Sequence, residues 1–153
     1  MTQELDCSDT WLLNEKEFSL SEDAKYMGFV YLITNLTNNR KYVGRKLFTF
    51  ASTKQVKGKK KKIRVESDWQ SYYGSSEELK ADVEKLGTAN FKREILYLCT
   101  TKGECNYLES REIFDRRCLE KPDEYYNGQV QCRIHRTHIK RVMERVRLGE
   151  IPS

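Results

Sequence analysis

The stretch 28–44, GFVYLITNLTNNRKYVG, decides how the chain is read. Two apolar runs, Phe29-Val30-Tyr31-Leu32-Ile33 and Tyr42-Val43, flank the polar cluster Asn35-Leu36-Thr37-Asn38-Asn39, and strand formers on either side of such a cluster predict a β-hairpin. With a period of two, Phe29, Tyr31 and Ile33 share one face and Val30 and Leu32 the other. Both faces are apolar, so the first strand is expected in the middle of a sheet. Tyr31 and Tyr42 stand among lysines and arginines, and Gly44 permits a close backbone approach. Tyrosines beside cations suggest phosphate chemistry.

The chain has 153 residues, enough for one domain with a core of its own. A third of the residues are charged, which indicates a small core under a polar surface. The net charge of +5 conceals a one-sided distribution: residues 24–65 hold twelve Lys or Arg and no Asp or Glu. Such a block attracts polyanions and makes binding salt-dependent; a lysine run alone reads first as a solvated surface, but its position directly after the tyrosine hairpin points to nucleic acid. The five cysteines, Cys7, Cys99, Cys105, Cys118 and Cys132, include no CxxC and are odd in number, which fits a reducing compartment better than a disulfide framework. No signal peptide and no membrane-spanning apolar run is evident, so a soluble, intracellular protein is expected.

Outward from the hairpin, residues 1–25 read as an acidic lead-in with scattered apolar residues, Leu5, Trp11, Leu12, Leu13, Phe18 and Leu20. It either packs Trp11 or Phe18 on the core or lies over the basic surface. Residues 47–66 show no apolar periodicity, and a mobile basic loop is the simplest account. Ser67 is placed to cap a short helix over 68–73, and Ser75 or Ser76 opens a second, with Glu77 and Glu78 in its first turn and Leu79, Val83 and Leu86 on one face. FKREILYLC alternates for part of its length and predicts a third strand. Thr101 and Glu104 match a capping box opening a helix to about residue 118, with Tyr107, Phe114 and Cys118 on its apolar side, joined by Leu108 and Ile113. Glu109 falls at the flank of that face, where it can enter a cleft; a solvated helix carboxylate is the plain alternative. Residues 129–153 read as a basic segment ending in an amphipathic helix, with Ile139, Val142 or Met143, and Val146 inward and arginines outward.

Phe29-Val30-Tyr31, then Tyr42-Val43-Gly44, then a helical Glu109 and a later Asn127 resemble the ordered motifs of the GIY-YIG nucleases, in particular their small phage-encoded, homing-endonuclease-like members. The likeness covers roughly residues 28–128, and the domain it implies is 26–128, with 47–66 as a basic insertion. It implies an α+β fold, a three-stranded antiparallel sheet flanked by helices. It also implies a metal-dependent endonuclease acting on double-stranded DNA, with Mg²⁺ or Mn²⁺ held by Glu109, within the cytoplasm of a bacterial host.

By the same resemblance Tyr31 and Tyr42 serve as general base or as orienters of the attacking water, and Asn127 supports the site. A phenol with a pKa of about 10 is a poor base at neutral pH, so nearby cations such as Arg45 and Lys46 would have to favour its ionisation. Members commonly carry an arginine on the first helix after the hairpin; here Ser52 takes its place in spacing, Asp68 its place before the later aromatic, Tyr72 or Tyr73. Arg45 or Arg64 is then the substitute, and Arg45 is preferred because it sits on the rigid hairpin. Lys46, Lys57, Lys59, Lys60, Lys61, Lys62, Arg64, Tyr72, Arg133 and Arg136 are the expected nucleic-acid contacts. A zinc site at Cys132, His135 and His138 has unusual spacing and no convincing fourth ligand.

Two other functions fit the residues: a nucleic-acid-binding module that has lost catalysis, and an RNA-binding accessory protein built on the basic loop. Monomer and dimer are both compatible with the sequence.

Overall fold

A computed structural model describes residues 10–21 and 25–153. Leu5 and Cys7 of the lead-in lie outside the described residues. Two short strands, β1 (Leu12–Leu13) and β2 (Lys16–Glu17), precede the hairpin, which forms as β3 (Gly28–Asn35) and β4 (Lys41–Leu47). Next come β5 (Thr49–Val56) and β6 (Lys59–Glu66), a 3₁₀ turn at Trp69–Ser71, helix α1 (Glu77–Leu86) and β7 (Phe91–Cys99). Helices α2 (Lys102–Asp115) and α3 (Lys140–Arg147) complete the chain. The fold is α+β, but the main sheet, expected to have three strands, has five among the described residues, in the order β2-β1-β7-β3-β4. The two extra strands come from the lead-in, where β1 pairs parallel to β7, making the sheet mixed rather than antiparallel.

Every residue of β3 is buried, as two apolar faces require of an interior strand. Phe29, Tyr31 and Ile33 pack with Trp11, Phe48, Trp69 and Leu79 on one face; Val30, Leu32 and Val43 pack with Leu108 and Ile113 of α2 and Val142 of α3 on the other. Trp11 is therefore a core residue, and its indole donates to the Trp69 carbonyl at 2.7 Å. The incomplete alternation in β7 has a local cause. A register shift opposite Val30 and Tyr31 makes Val30 face Tyr97 and Tyr31 face Ile95, so Leu96 is the extra residue of a bulge and Ile95 and Tyr97 join opposite faces.

Residues 47–66 are not a mobile loop. Thr49–Val56 and Lys59–Glu66 pair antiparallel along their whole length as a separate two-stranded ribbon. The two-residue loop Lys57-Gly58 has positive φ at both positions, 49° and 75°, which is the turn whose twist matches paired strands.

Three smaller expectations also change. Ser67 caps no helix; its hydroxyl donates to the Leu47 carbonyl at 2.6 Å and ties the ribbon's two ends together. Phe114 is 63% exposed, because α2 packs through Leu108 and Ile113 and leaves Phe114 outside that contact. Arg145 points inward, where Nη1 lies 2.6 Å from the buried Glu104 and 3.0 Å from the Leu98 carbonyl. Glu104, expected to close a capping box, spends its carboxylate on that pair, while the Thr101 hydroxyl accepts from the Glu104 amide. Among the described residues no helix is long and apolar enough to cross a membrane.

Candidate active site

Strand β4 is at the sheet edge, so side chains from both of its faces reach the groove along its outer side. Tyr42 and Gly44 share a face with Ile33 and Tyr31, their respective neighbours across the pair; Val43 and Arg45 share the other with Val30 and α2. A cleft of about 260 Å³ wraps this edge and is lined by Tyr31, Tyr42, Gly44, Arg45, Glu109 and Asn127, with Ser75, Gln129 and Gln131 at its sides. The five residues expected to carry the chemistry thus converge on one place from β3, β4, α2 and the segment after α2.

Gly44 makes the convergence possible. A Cβ there would lie 2.5 Å from Tyr31 Cζ and closer still to its hydroxyl, so the Tyr31 phenol occupies the space that any other residue would fill. Tyr31 is 1% exposed, and the Tyr72 ring meets it edge-on at 6.0 Å. Tyr42 is half-buried and its hydroxyl lies 2.8 Å from Ser75 Oγ. Burial holds both phenols above the usual tyrosine range, for Tyr31 by far, and Glu109 adds to the effect on each.

Across the cleft, Arg45 Nη1 donates to Glu109 Oε2 at 3.1 Å. Glu109 is mostly covered, and its carboxyl is raised above the usual range by desolvation, against the opposing pull of Arg45. Asn127 does not point at the cleft's centre. Its amide bonds the Val43 backbone on both sides, accepting from N–H at 3.0 Å and donating to C=O at 2.8 Å, and so replaces a missing strand neighbour. Just before it, Lys41 N–H donates to Glu124 and Tyr126 N–H to Lys41, continuing the same edge cover.

The remaining expected contacts divide. Lys46 faces away from Arg45: its ammonium lies 2.6 Å from Asp68 and 4.0 Å over the Tyr72 ring, which in turn backs Tyr31, and neither Lys46 nor Tyr72 lines the cleft. Lys57, Lys59, Lys60, Lys61, Lys62 and Arg64 are exposed on the ribbon, where Arg64 is tied to Thr49 by two hydrogen bonds. Arg133 and Arg136 are exposed beyond Gln131. No arginine occurs in α1, and among the described residues Arg45 is the one arginine lining the cleft.

Residues 11–130 match the family described as "Putative endonuclease segE, GIY-YIG domain". The chain belongs to this GIY-YIG nuclease family. No curated protein and no solved structure matches it significantly. The match begins at Trp11, the core tryptophan of the segment read as a lead-in, and runs past Asn127. GIY-YIG nucleases generally depend on a divalent metal, and an endonuclease domain implies a nucleic acid substrate.

Among the described residues no group of three or more His, Cys, Asp or Glu is placed to hold a metal, and Cys132, His135 and His138 are no exception. His138 Nδ1 instead accepts from the His135 amide. A single carboxylate in a water-accessible cleft fits a hard cation that retains most of its waters, and Glu109 has one oxygen not engaged by Arg45.

Sequence reading missed Ser75, Gln129 and Gln131. Ser75 was legible only as a helix-start serine. The other two carry a signal that was available: Asn127, Gln129 and Gln131 recur with the period of an extended chain and all line one cleft.

Proposed function

We propose that this protein is an endonuclease that hydrolyses phosphodiester bonds of double-stranded DNA in the cleft around Gly44, with Mg²⁺ or Mn²⁺ held by Glu109, in the cytoplasm of a bacterial host. The observation that carries the reading is the meeting of Tyr31, Tyr42, Arg45 and Glu109 around one edge strand. Water attacks phosphorus as the bond to the 3′ oxygen breaks. Arg45 contributes positive charge to the phosphoryl oxygens as charge accumulates. The cation, when bound, supplies Lewis-acid stabilisation of the same charge and of the leaving oxygen.

The tyrosines act as protonated phenols. Cations were expected to favour their ionisation, but burial moves both in the opposite direction. Tyr42, kept protonated by burial and tethered to Ser75 at 2.8 Å, acts as an orienter of the attacking water and not as a base. Tyr31 fixes Tyr42 and Gly44 from behind, and Asn127 is a positioning residue that holds β4 in place.

In the DNA-free protein Arg45 and Glu109 neutralise one another; a phosphate draws Arg45 away and leaves the carboxylate to the cation. The absence of an arginine from α1 favours a second reading, a binding module without catalysis on the same fold. Incubation of supercoiled plasmid with the protein separates the two. Nicking or linearisation in Mg²⁺ or Mn²⁺ that chelator abolishes is expected; salt-sensitive DNA binding with no cleavage in either metal supports the module.

A further inference from the structure

We propose that the β5–β6 ribbon is a groove-reading arm, whose Thr53, Gln55, Lys60 and Lys62 contact base edges in the DNA major groove. The inference rests on the reading of duplex DNA as the substrate and adds which side chains read its sequence. Cross-strand register sorts the ribbon into two faces. Gln55 pairs with Lys60 and Thr53 with Lys62, so these four point to one side; Val56 pairs with Lys59 and Lys54 with Lys61, which point to the other.

The first face presents two-point hydrogen-bonding groups at its outer end: an amide of the kind that matches adenine, ammonium groups that match guanine, and a hydroxyl that suits either. Arg64, on the same side, is held back against Thr49 and does not reach outward. The second face is apolar towards the root, where Phe50 pairs with Val65 and Ser52 with Ile63. Its lysines point away from the bases, and their long flexible stems suit them to reach the phosphates of the groove walls.

Charge decides the occupant. The ribbon carries Lys54, Lys57, four consecutive lysines from Lys59 to Lys62 and Arg64 against the single acid Glu66, so a second copy is repelled and a polyanion is attracted. Shape decides which polyanion. A two-stranded ribbon fits the B-form major groove, about 12 Å wide, whereas the A-form groove of duplex RNA is too narrow. At roughly 3.3 Å per residue the eight-residue strands span about 26 Å, and the ribbon begins at the end of β4. The bases read therefore lie beside the scissile phosphate and up to about a helical turn from it.

The test is selection from a pool of randomised duplex DNA, scored by binding and by cleavage, for the wild type, Gln55→Ala/Lys60→Ala and Lys59→Ala/Lys61→Ala. The wild type is expected to enrich a short base pattern, and the Gln55/Lys60 variant to lose discrimination at one or two positions by about tenfold or more each. The Lys59/Lys61 variant should bind all sequences more weakly, with the slope of log affinity against log salt reduced by about two and the pattern retained. A pattern unchanged in the Gln55/Lys60 variant, or changed only in the Lys59/Lys61 variant, overturns the assignment of the reading face while DNA binding and cleavage stand. A wild type that binds no duplex, or prefers duplex RNA, overturns both this inference and the reading beneath it.

Discussion

Gly44 and Tyr31 occupy one space, since the phenol lies where a Cβ at residue 44 would be. Gly44→Ala forces either the ring or the edge strand to move, and both carry the cleft. Overpacking of this kind costs about 1–3 kcal/mol, so a lowered denaturation midpoint is expected together with loss of nicking. Arg45 and Glu109 set a pH limit. Desolvation raises the Glu109 carboxyl and Arg45 lowers it, with desolvation the larger effect. A raised carboxyl keeps its proton to higher pH, and the proton competes with the cation. Metal-dependent cleavage should therefore rise with pH along a limb lying above the ordinary glutamate value of about 4.3. Arg45→Gln removes the lowering influence, so that limb should move to higher pH, beyond any fall in the plateau rate; a limb that moves down contradicts the pairing. At this scale the tyrosines, Glu109 and Asn127 were legible in the sequence as motif positions. Their protonation and partners were not, because burial and the Ser75 contact arise only when distant segments meet.

Helices α2 and α3 are joined by an ion pair that the amphipathic pattern of α3 concealed. Glu104 is fully buried and Arg145 mostly so, with Arg141 3.7 Å away on the outer side. Removing one partner of such a pair strands the other charge, at a cost of about 3–5 kcal/mol. Arg145→Ala is thus expected to lower unfolding stability by that amount in denaturant titration, whereas a change within about 0.5 kcal/mol contradicts a buried pair. An arginine on a basic helix reads as solvated because its neighbours are; the buried carboxylate that captures it is some forty residues away. The ribbon was missed for a related reason. Four consecutive lysines in β6 erase the alternation that marks a strand, and the pairing that fixes it is local to a Lys-Gly turn without the usual Asn or Asp. Strand β3 and helix α1 were legible because their signals, apolar runs and the Ser76 cap, lie within the elements themselves.

Across the whole molecule, the sheet places an edge strand between two separate cores, and the cleft forms where that edge remains reachable from both sides. The acidic composition of the lead-in drew attention from Trp11, Leu12 and Leu13, whose burial extends the sheet beyond β7 and supports the face on which Tyr31 lies. The charged ribbon leaves from the far end of the same edge strand, so the proposed groove-reading arm and the proposed site share one structural element. Glu109 is proposed to hold the cation at the reacting phosphate. Plasmid nicking in Mg²⁺ with Glu109→Gln, alongside duplex binding by the same protein, decides whether it does. Loss of a cation worth several kcal/mol to the transition state predicts nicking reduced by about a hundredfold or more with duplex binding retained. Nicking by Glu109→Gln at the wild-type rate means that the cation is not held by Glu109.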